Sequence, residues 1–240
     1  MKNRVQNILF YACILVITAI LQGCFKDTVI ERYTFYRPVY ATKETVFANI
    51  KSSQPTAIQS VGKLFIKDGF VFLNDVNRGV HIIDFTNPSE PKKVSFIHVP
   101  GNVDMAVRDN ILYVDCYTSL VAIDISNPLN VVTKKIVNGV FPHRMYRDFI
   151  PDTGLIIQSW IRVDTAVSKD AVANIQERNI GIFFANSASP LAISKSINGV
   201  GGSMARFALL NDRMYTVSSS DIKVFNTTVA ANPSYVKMVA

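Results

Sequence analysis

The sequence predicts an all-β chain built from repeated four-stranded units, and three observations make that prediction. Carboxylates are skewed to 14 Asp against 4 Glu, and Glu favours helices whereas Asp favours turns and caps. Runs of five or six β-branched and aromatic residues alternate with clusters of Asn, Asp, Pro, Gly and Ser, which is the punctuation of short strands. Finally, one pattern recurs: an apolar run closing on Asp or Asn, then a turn containing Pro. Hydrophobic residues make up 49% of the chain and charged residues 18%, a balance that excludes intrinsic disorder and supplies a core.

The first copy of the pattern is Val80-His81-Ile82-Ile83-Asp84, followed by Phe85-Thr86-Asn87-Pro88. The second is Leu120-Val121-Ala122-Ile123-Asp124, followed by Ile125-Ser126-Asn127-Pro128. The third, Ile182-Phe183-Phe184-Ala185-Asn186, reaches Pro190, and a looser fourth, Ile222-Lys223-Val224-Phe225-Asn226, reaches Pro233. The closing residues are 40, 62 and 40 positions apart. A turn aspartate precedes each copy (Asp68, Asp109, Asp152, Asp212), and it stands 16, 15, 34 and 14 residues before the closing residue. The long interval is therefore an ordinary unit with an insertion at residues 161–178, expected as a recognition loop or a prolonged hairpin.

Each unit has room for four strands; in the second they are expected at residues 103–108, 111–115, 120–124 and 131–136. Asp or Asn at a strand end bonds its own backbone through the turn, and Pro fixes φ there. Asp84, Asp124, Asn186 and Asn226 are read as such structural residues. Four antiparallel strands every 40 or so residues is the arithmetic of a β-propeller blade. The expected fold is a β-propeller of four-stranded blades, four in this chain, at about residues 57–98, 99–139, 140–200 and 201–240. A β-sandwich, the competing all-β reading, does not require the same turn at a fixed period. Residues 24–56 are expected as a tether and pre-blade segment, with residues 44–50 forming a short helix or closing strand.

The N-terminus carries an address. Lys2 and Arg4 precede an uncharged run from residue 7 to residue 23, the layout of a secretory signal. It ends in Leu21-Gln22-Gly23-Cys24, which resembles the lipobox of bacterial lipoproteins. That resemblance implies removal of residues 1–23, acylation of Cys24 with palmitate-type chains, and anchorage in the cell envelope, most simply the outer membrane. More than one acyl chain makes such an anchor stable. Loss of Lys2 and Arg4 lowers the formal charge from +7 to +5, since no acidic residue precedes Cys24. Cys13 leaves with the signal, so Cys116 stands alone and is read as a small core residue.

Leu120-Val121-Ala122-Ile123-Asp124 and its sister copies resemble the LVIVD repeat, found in β-propeller lipoproteins of Bacteroidota-type bacteria. The stretches Pro100-Gly101-Asn102-Val103-Asp104-Met105-Ala106-Val107 and Gly201-Gly202-Ser203-Met204-Ala205-Arg206-Phe207 add to the likeness. The resemblance implies the fold and the envelope address, and no reaction. Similar proteins are usually longer, so the expectation is the N-terminal part of a larger ring, with a closed four-bladed ring as the alternative.

Nothing in the sequence names a reaction. There is no Gly-x-Ser-x-Gly elbow, phosphate loop or dinucleotide fingerprint. His81, His98 and His143 lack metal-ligand spacing, so no metal and no cofactor is expected. No concentrated Lys/Arg stripe points to nucleic acid. Propellers bind ligands at the channel lined by the innermost strands. With the first strand of each unit innermost, Lys63, Asp104, Arg144, Arg147 and Arg206 are the candidates for an anionic or polyhydroxylated ligand, their solvated-rim role being the plainer reading. Arg144, Tyr146 and Arg147 lie in one segment, which argues against a sialidase-like site spread over several blades. The expected function is a lipid-anchored binding or assembly module with a protein or glycan partner; the alternative is a propeller enzyme acting on glycans.

Overall fold

Strand follows strand with few interruptions in the computed structural model, which describes residues 30–144, 152, 154–168, 183–184 and 205–239. In chain order, β1 (Ile30–Thr42) leads into helix α1 (Lys43–Ala48) and the short β2 (Ser52–Ser53). A meander follows: β3 (Val61–Lys67), β4 (Phe70–Asp75), β5 (Gly79–Asp84) and β6 (Lys92–His98), with β2 added on the outer edge of β6. A second meander comprises β7 (Met105–Arg108), β8 (Ile111–Cys116), β9 (Ser119–Asp124) and β10 (Val132–Val137). After β11 (Leu155–Ser168) and β12 (Phe183–Phe184) comes a third, made of β13 (Phe207–Leu210), β14 (Arg213–Val217), β15 (Ile222–Asn226) and β16 (Ser234–Val239). All pairings are antiparallel, and the fold is propeller-like.

Turn chemistry sets the strand ends, and it repeats. Asp84 Oδ1 accepts from the Thr86 amide at 2.9 Å, Asp124 Oδ1 from the Ser126 amide at 2.9 Å, and Asn226 Oδ1 from the Thr228 amide at 2.9 Å. These are the Asx turns that the closing residues predict. The Thr86 hydroxyl and amide hold the Asp84 carboxyl below its ordinary range, and Ser126 does the same for Asp124. One residue past each closing position, an amide returns to the opposite hairpin: Phe85 to Gly69, Ile125 to Asn110, Thr227 to Asp212. A further turn then closes from Asn87 to Glu90, from Asn127 to Asn130 and from Val229 to Asn232. The looseness of the last copy has its reason here: Ala230 occupies the place of Pro88 and Pro128, and Pro233 falls after the turn. At the first hairpin of each meander Asp68, Asp109 and Asn211 adopt φ of about +50° (50°, 52° and 49°), the left-handed region that short Asx side chains tolerate. In the third sheet this residue is Asn211, one position before the turn aspartate read from the sequence.

The central strands of the second sheet are covered on both faces, so every residue of β8 is buried. Leu112, Val114, Val121 and Ile123 face the first sheet and pack with Phe72, Val80 and Ile82. Ile111, Tyr113, Leu120 and Ala122 face the third sheet and pack with Phe207, Met214 and Phe225. Each of the large aliphatic and Phe side chains among these contributes about 1.5–3 kcal/mol by leaving water. The Tyr113 hydroxyl donates to the Ala230 carbonyl at 2.7 Å, and burial pushes its pKa up to about 12. Cys116 lies in the first interface, fully buried as expected of a small core residue. The outer faces of the stack are open: Leu64 and Ile66 of β3 are 56% and 54% exposed, and Leu210 of β13 is 61% exposed.

Two segments depart from the sequence-based expectation. The unit expected at residues 140–200 forms no four-stranded sheet among the described residues. Its long strand β11 pairs instead with β1 over the whole length of β1, from Ile30↔Ser168 to Thr42↔Leu155, and β12 adds to β1 at Phe35↔Phe184 and Tyr36↔Phe183. The third meander consequently packs directly on the second. The first half of the insertion, residues 161–168, continues β11 as strand, and residues 30–42 of the supposed tether are its partner. The physical reason is pairing: the two runs are matched in length, each rich in β-branched and aromatic residues, and each satisfies the other's backbone. Residues 44–50 hold the helix option, capped by Thr42 accepting from the Thr45 amide at 3.3 Å, with Val46 and Ile50 buried between the first two sheets.

Candidate functional site

The first strands of the three meanders lie side by side, β7 between β3 and β13, and their entry ends gather charge. Lys63 on β3 reaches Asp104 Oδ1 at 2.9 Å and the Met105 carbonyl at 3.2 Å. Asp104 is buried; its Oδ1 also accepts from the Met105 amide at 2.8 Å, and its Oδ2 takes the Arg206 amide at 2.6 Å and the Phe207 amide at 3.2 Å. One carboxylate thus joins β3, β7 and β13. Arg206 turns its guanidinium to Asp115 Oδ2 at 2.8 Å and lies 5.5 Å from the centre of the Phe141 ring. Asp115, fully buried at the end of β8, accepts on Oδ1 from the amides of Val103 and Asp104 at 2.8 and 2.9 Å and from Asn102 Nδ2 at 3.0 Å. Burial drives the Asp115 carboxyl above its ordinary range, against the charges of Arg206 and Arg144.

Of the residues singled out in the sequence, Lys63, Asp104 and Arg206 are brought into one cluster. Arg144 stands beside it, bonded to Asn77 Oδ1 and the Gly101 carbonyl with its guanidinium 4.9 Å from the centre of the Tyr117 ring. Gly101 fits there because its φ is +73° and a Cβ would come within 2.6 Å of that ring. Arg147 and Cys24 lie outside the described residues, as does Asn186. His143 is exposed. Among the described residues no group of His, Cys, Asp and Glu is placed to hold a metal ion.

Sequence reasoning missed Asp75 and Asp115, the organising carboxylates. A signal was present: each precedes its closing aspartate, Asp84 or Asp124, by nine positions. Asp75, also buried, gathers the loop entering β3 as Asp115 gathers the loop entering β7. It accepts from the Ser60 amide at 2.7 Å, the Gln59 amide at 3.2 Å and Arg78 Nη1 at 2.7 Å, and its Oδ2 lies 3.0 Å from His81 Nε2. Burial pushes the Asp75 carboxyl up, but the hydrogen bonds and the Arg78 charge outweigh it, and the net shift is downward. His81 is therefore a partnered core histidine. His98 is held below its ordinary value by burial and by Arg78.

The two meanders that share this buried aspartate carry a recognisable signature. Residues 60–97 and 101–139 match the LVIVD repeat. The two LVIVD repeats therefore coincide with β3–β6 and β7–β10, each including its buried aspartate and its closing Asx turn. No curated protein matches the chain.

At the other end of β7, Arg108 bonds Asp212 Oδ1 at 2.5 Å, Thr227 Oγ1 at 3.0 Å and the Asn211 carbonyl. The second LVIVD repeat is thereby fastened to the third meander at both ends of its first strand. Beside the entry cluster, Asn74 Oδ1 and Asn102 Oδ1 are buried without a partner among the described residues, an arrangement that favours a hydrogen-bonding guest or water.

Proposed function

We propose that this chain is a lipid-anchored protein of the bacterial cell envelope, most simply of the outer membrane, whose propeller-like body acts as a binding or assembly module. The ligand site is the entry end of the first strands, and the ligand is anionic or polyhydroxylated, a glycan being the favoured chemistry. One observation carries this reading: Lys63 and Arg206 are held by buried carboxylates, yet their side chains stay 38% and 23% exposed. A fixed ammonium and a fixed guanidinium with unused donors present a preorganised surface to carboxylate or hydroxyl groups. The Leu21-Gln22-Gly23-Cys24 motif supports the anchor.

The test is binding of the full chain, reconstituted in nanodiscs, to a panel of glycans and organic anions. Saturable binding that weakens tenfold or more in Arg206→Ala and Lys63→Ala supports the module; binding unchanged in both removes the site. Turnover of a glycan replaces the module with a hydrolase. The anchor is tested separately: the intact mass of membrane-extracted protein should equal residues 24–240 plus acyl chains, and Cys24→Ser should abolish the increment.

A further inference from the structure

The β1–β11 pair is longer than any blade strand, and among the described residues only its base packs on the body. At that base Tyr40, Ile157 and Trp160 cluster with Tyr117, whose hydroxyl donates to the Ile157 carbonyl at 2.8 Å. Just beyond the end of β1, α1 places Val46 in the core between the first two sheets. The far half is different. Residues 30–37 pair with residues 161–168 without a register break, and no side chain described there is buried. Among the described elements β1 and β11 contact chiefly each other, β12 and α1. The Thr34 hydroxyl donates to Asp164 at 2.5 Å, and Arg162 pairs with the same carboxylate at 3.2 Å. By register Arg37 and Arg162 fall on opposite faces, and both are exposed, so neither face offers an uncharged surface to lie along hydrocarbon.

The far end of this ribbon, the pair Ile30↔Ser168, is reached only six residues after Cys24. We propose that the far half of the β1–β11 ribbon is a stand-off arm whose tip meets a lipid surface and whose length holds the blades away from it. This rests on the anchor reading above. Seven strand steps give a spacing of about 23 Å. The partner is therefore the bilayer itself, met by the ribbon tip, and the entry cluster on the blades is kept clear of the headgroups. Backbone pairing stiffens the arm; an unpaired linker of the same length would collapse to a shorter mean distance.

The test is neutron reflectometry of the full acylated chain on a supported bilayer, with intact mass taken on the same preparation. The expected profile has a protein-poor layer of about 23 Å between headgroups and body. Deleting Glu31 and Arg32 together with their partners Ala166 and Val167 keeps the register, the face alternation and the net charge, and should thin that layer by about 7 Å. An acylated protein whose body abuts the headgroups overturns the arm and leaves the anchor standing. A gap that the deletion does not change also overturns it. A mass without acyl chains overturns the anchor and the arm with it. If the deletion variant fails to fold, the gap of the unaltered protein still decides.

Discussion

The two LVIVD repeats bury the same residue type at the same place and use it differently. Asp75 is served locally, by its own repeat and the residue just before it: Ser60, Gln59, Arg78 and His81 all lie within 16 residues of it. Asp115 reaches outside its repeat to Arg206, 91 residues away in sequence. The electrostatics diverge accordingly, the Asp75 carboxyl being held low and the Asp115 carboxyl driven high. A carboxylate that closes one blade has become, in the second, the clasp that holds the next sheet. The lesson is that a repeat can keep its local hydrogen-bond device and change what the device fastens.

The largest effect expected is from Asp115→Ala. It strands the Val103 and Asp104 amides and the Arg206 guanidinium, leaves Asn102 Nδ2 only its backbone acceptors, and should cost about 3–5 kcal/mol in urea unfolding. Amide exchange should rise across β13–β16. Asp75→Ala breaks a comparable set but should raise exchange only in β3–β6 and at residues 59–60. Equal loosening of β13–β16 in both variants would refute the distinction.

The acid limb gives the second test. The folded Asp75 value lies below the ordinary 3.8, so its contribution is present above that pH and is lost as pH falls through the lower folded value. Asp115 has the opposite sign: its folded value lies above 3.8, so stability declines as pH rises from 3.8 through that value. Asp75→Asn should flatten the loss of stability below pH 3.8, and Asp115→Asn should flatten the decline above it. Stability measured by urea titration at a series of pH values reads both slopes.

Smaller effects separate the two edges of the second repeat. Tyr113→Phe leaves the Ala230 carbonyl without its donor and should cost about 1 kcal/mol. Asp124→Ala removes one Asx turn on a partly exposed edge and should cost less than about 1 kcal/mol, leaving the contact with the third sheet intact.

The blades were legible because their information is local. Asp84, Asp124 and Asn226 announce a turn within two residues of themselves, and the continuous apolar run Ile111-Leu112-Tyr113-Val114 announces a buried strand. The strands expected at residues 111–115 and 120–124 of the second repeat differ from the observed ones by a single residue at one end. The β1–β11 pairing was not legible, because it joins residues more than 110 positions apart and carries no turn signal between them. The site was half legible. Lys63, Asp104 and Arg206 stand out as charges at the starts of first strands, whereas Asp115 is hidden in the run Val114-Asp115-Cys116, where nothing local says that a carboxylate can be buried. Only the long-range approach of Arg206 and the amides of another loop make it tolerable.

The burial of Cys116 carries a consequence for its thiol chemistry. Burial and the neighbouring Asp115 push its thiol up to about 12. At pH 7 the group is therefore held as the thiol, and its side chain is fully buried. Since the thiolate is the nucleophile in disulfide exchange, Cys116 of the folded chain is inert to mixed-disulfide formation and to oxidising shuttles. Reactivity of this thiol toward an alkylating probe is then a clock for opening of the interface between the first two sheets.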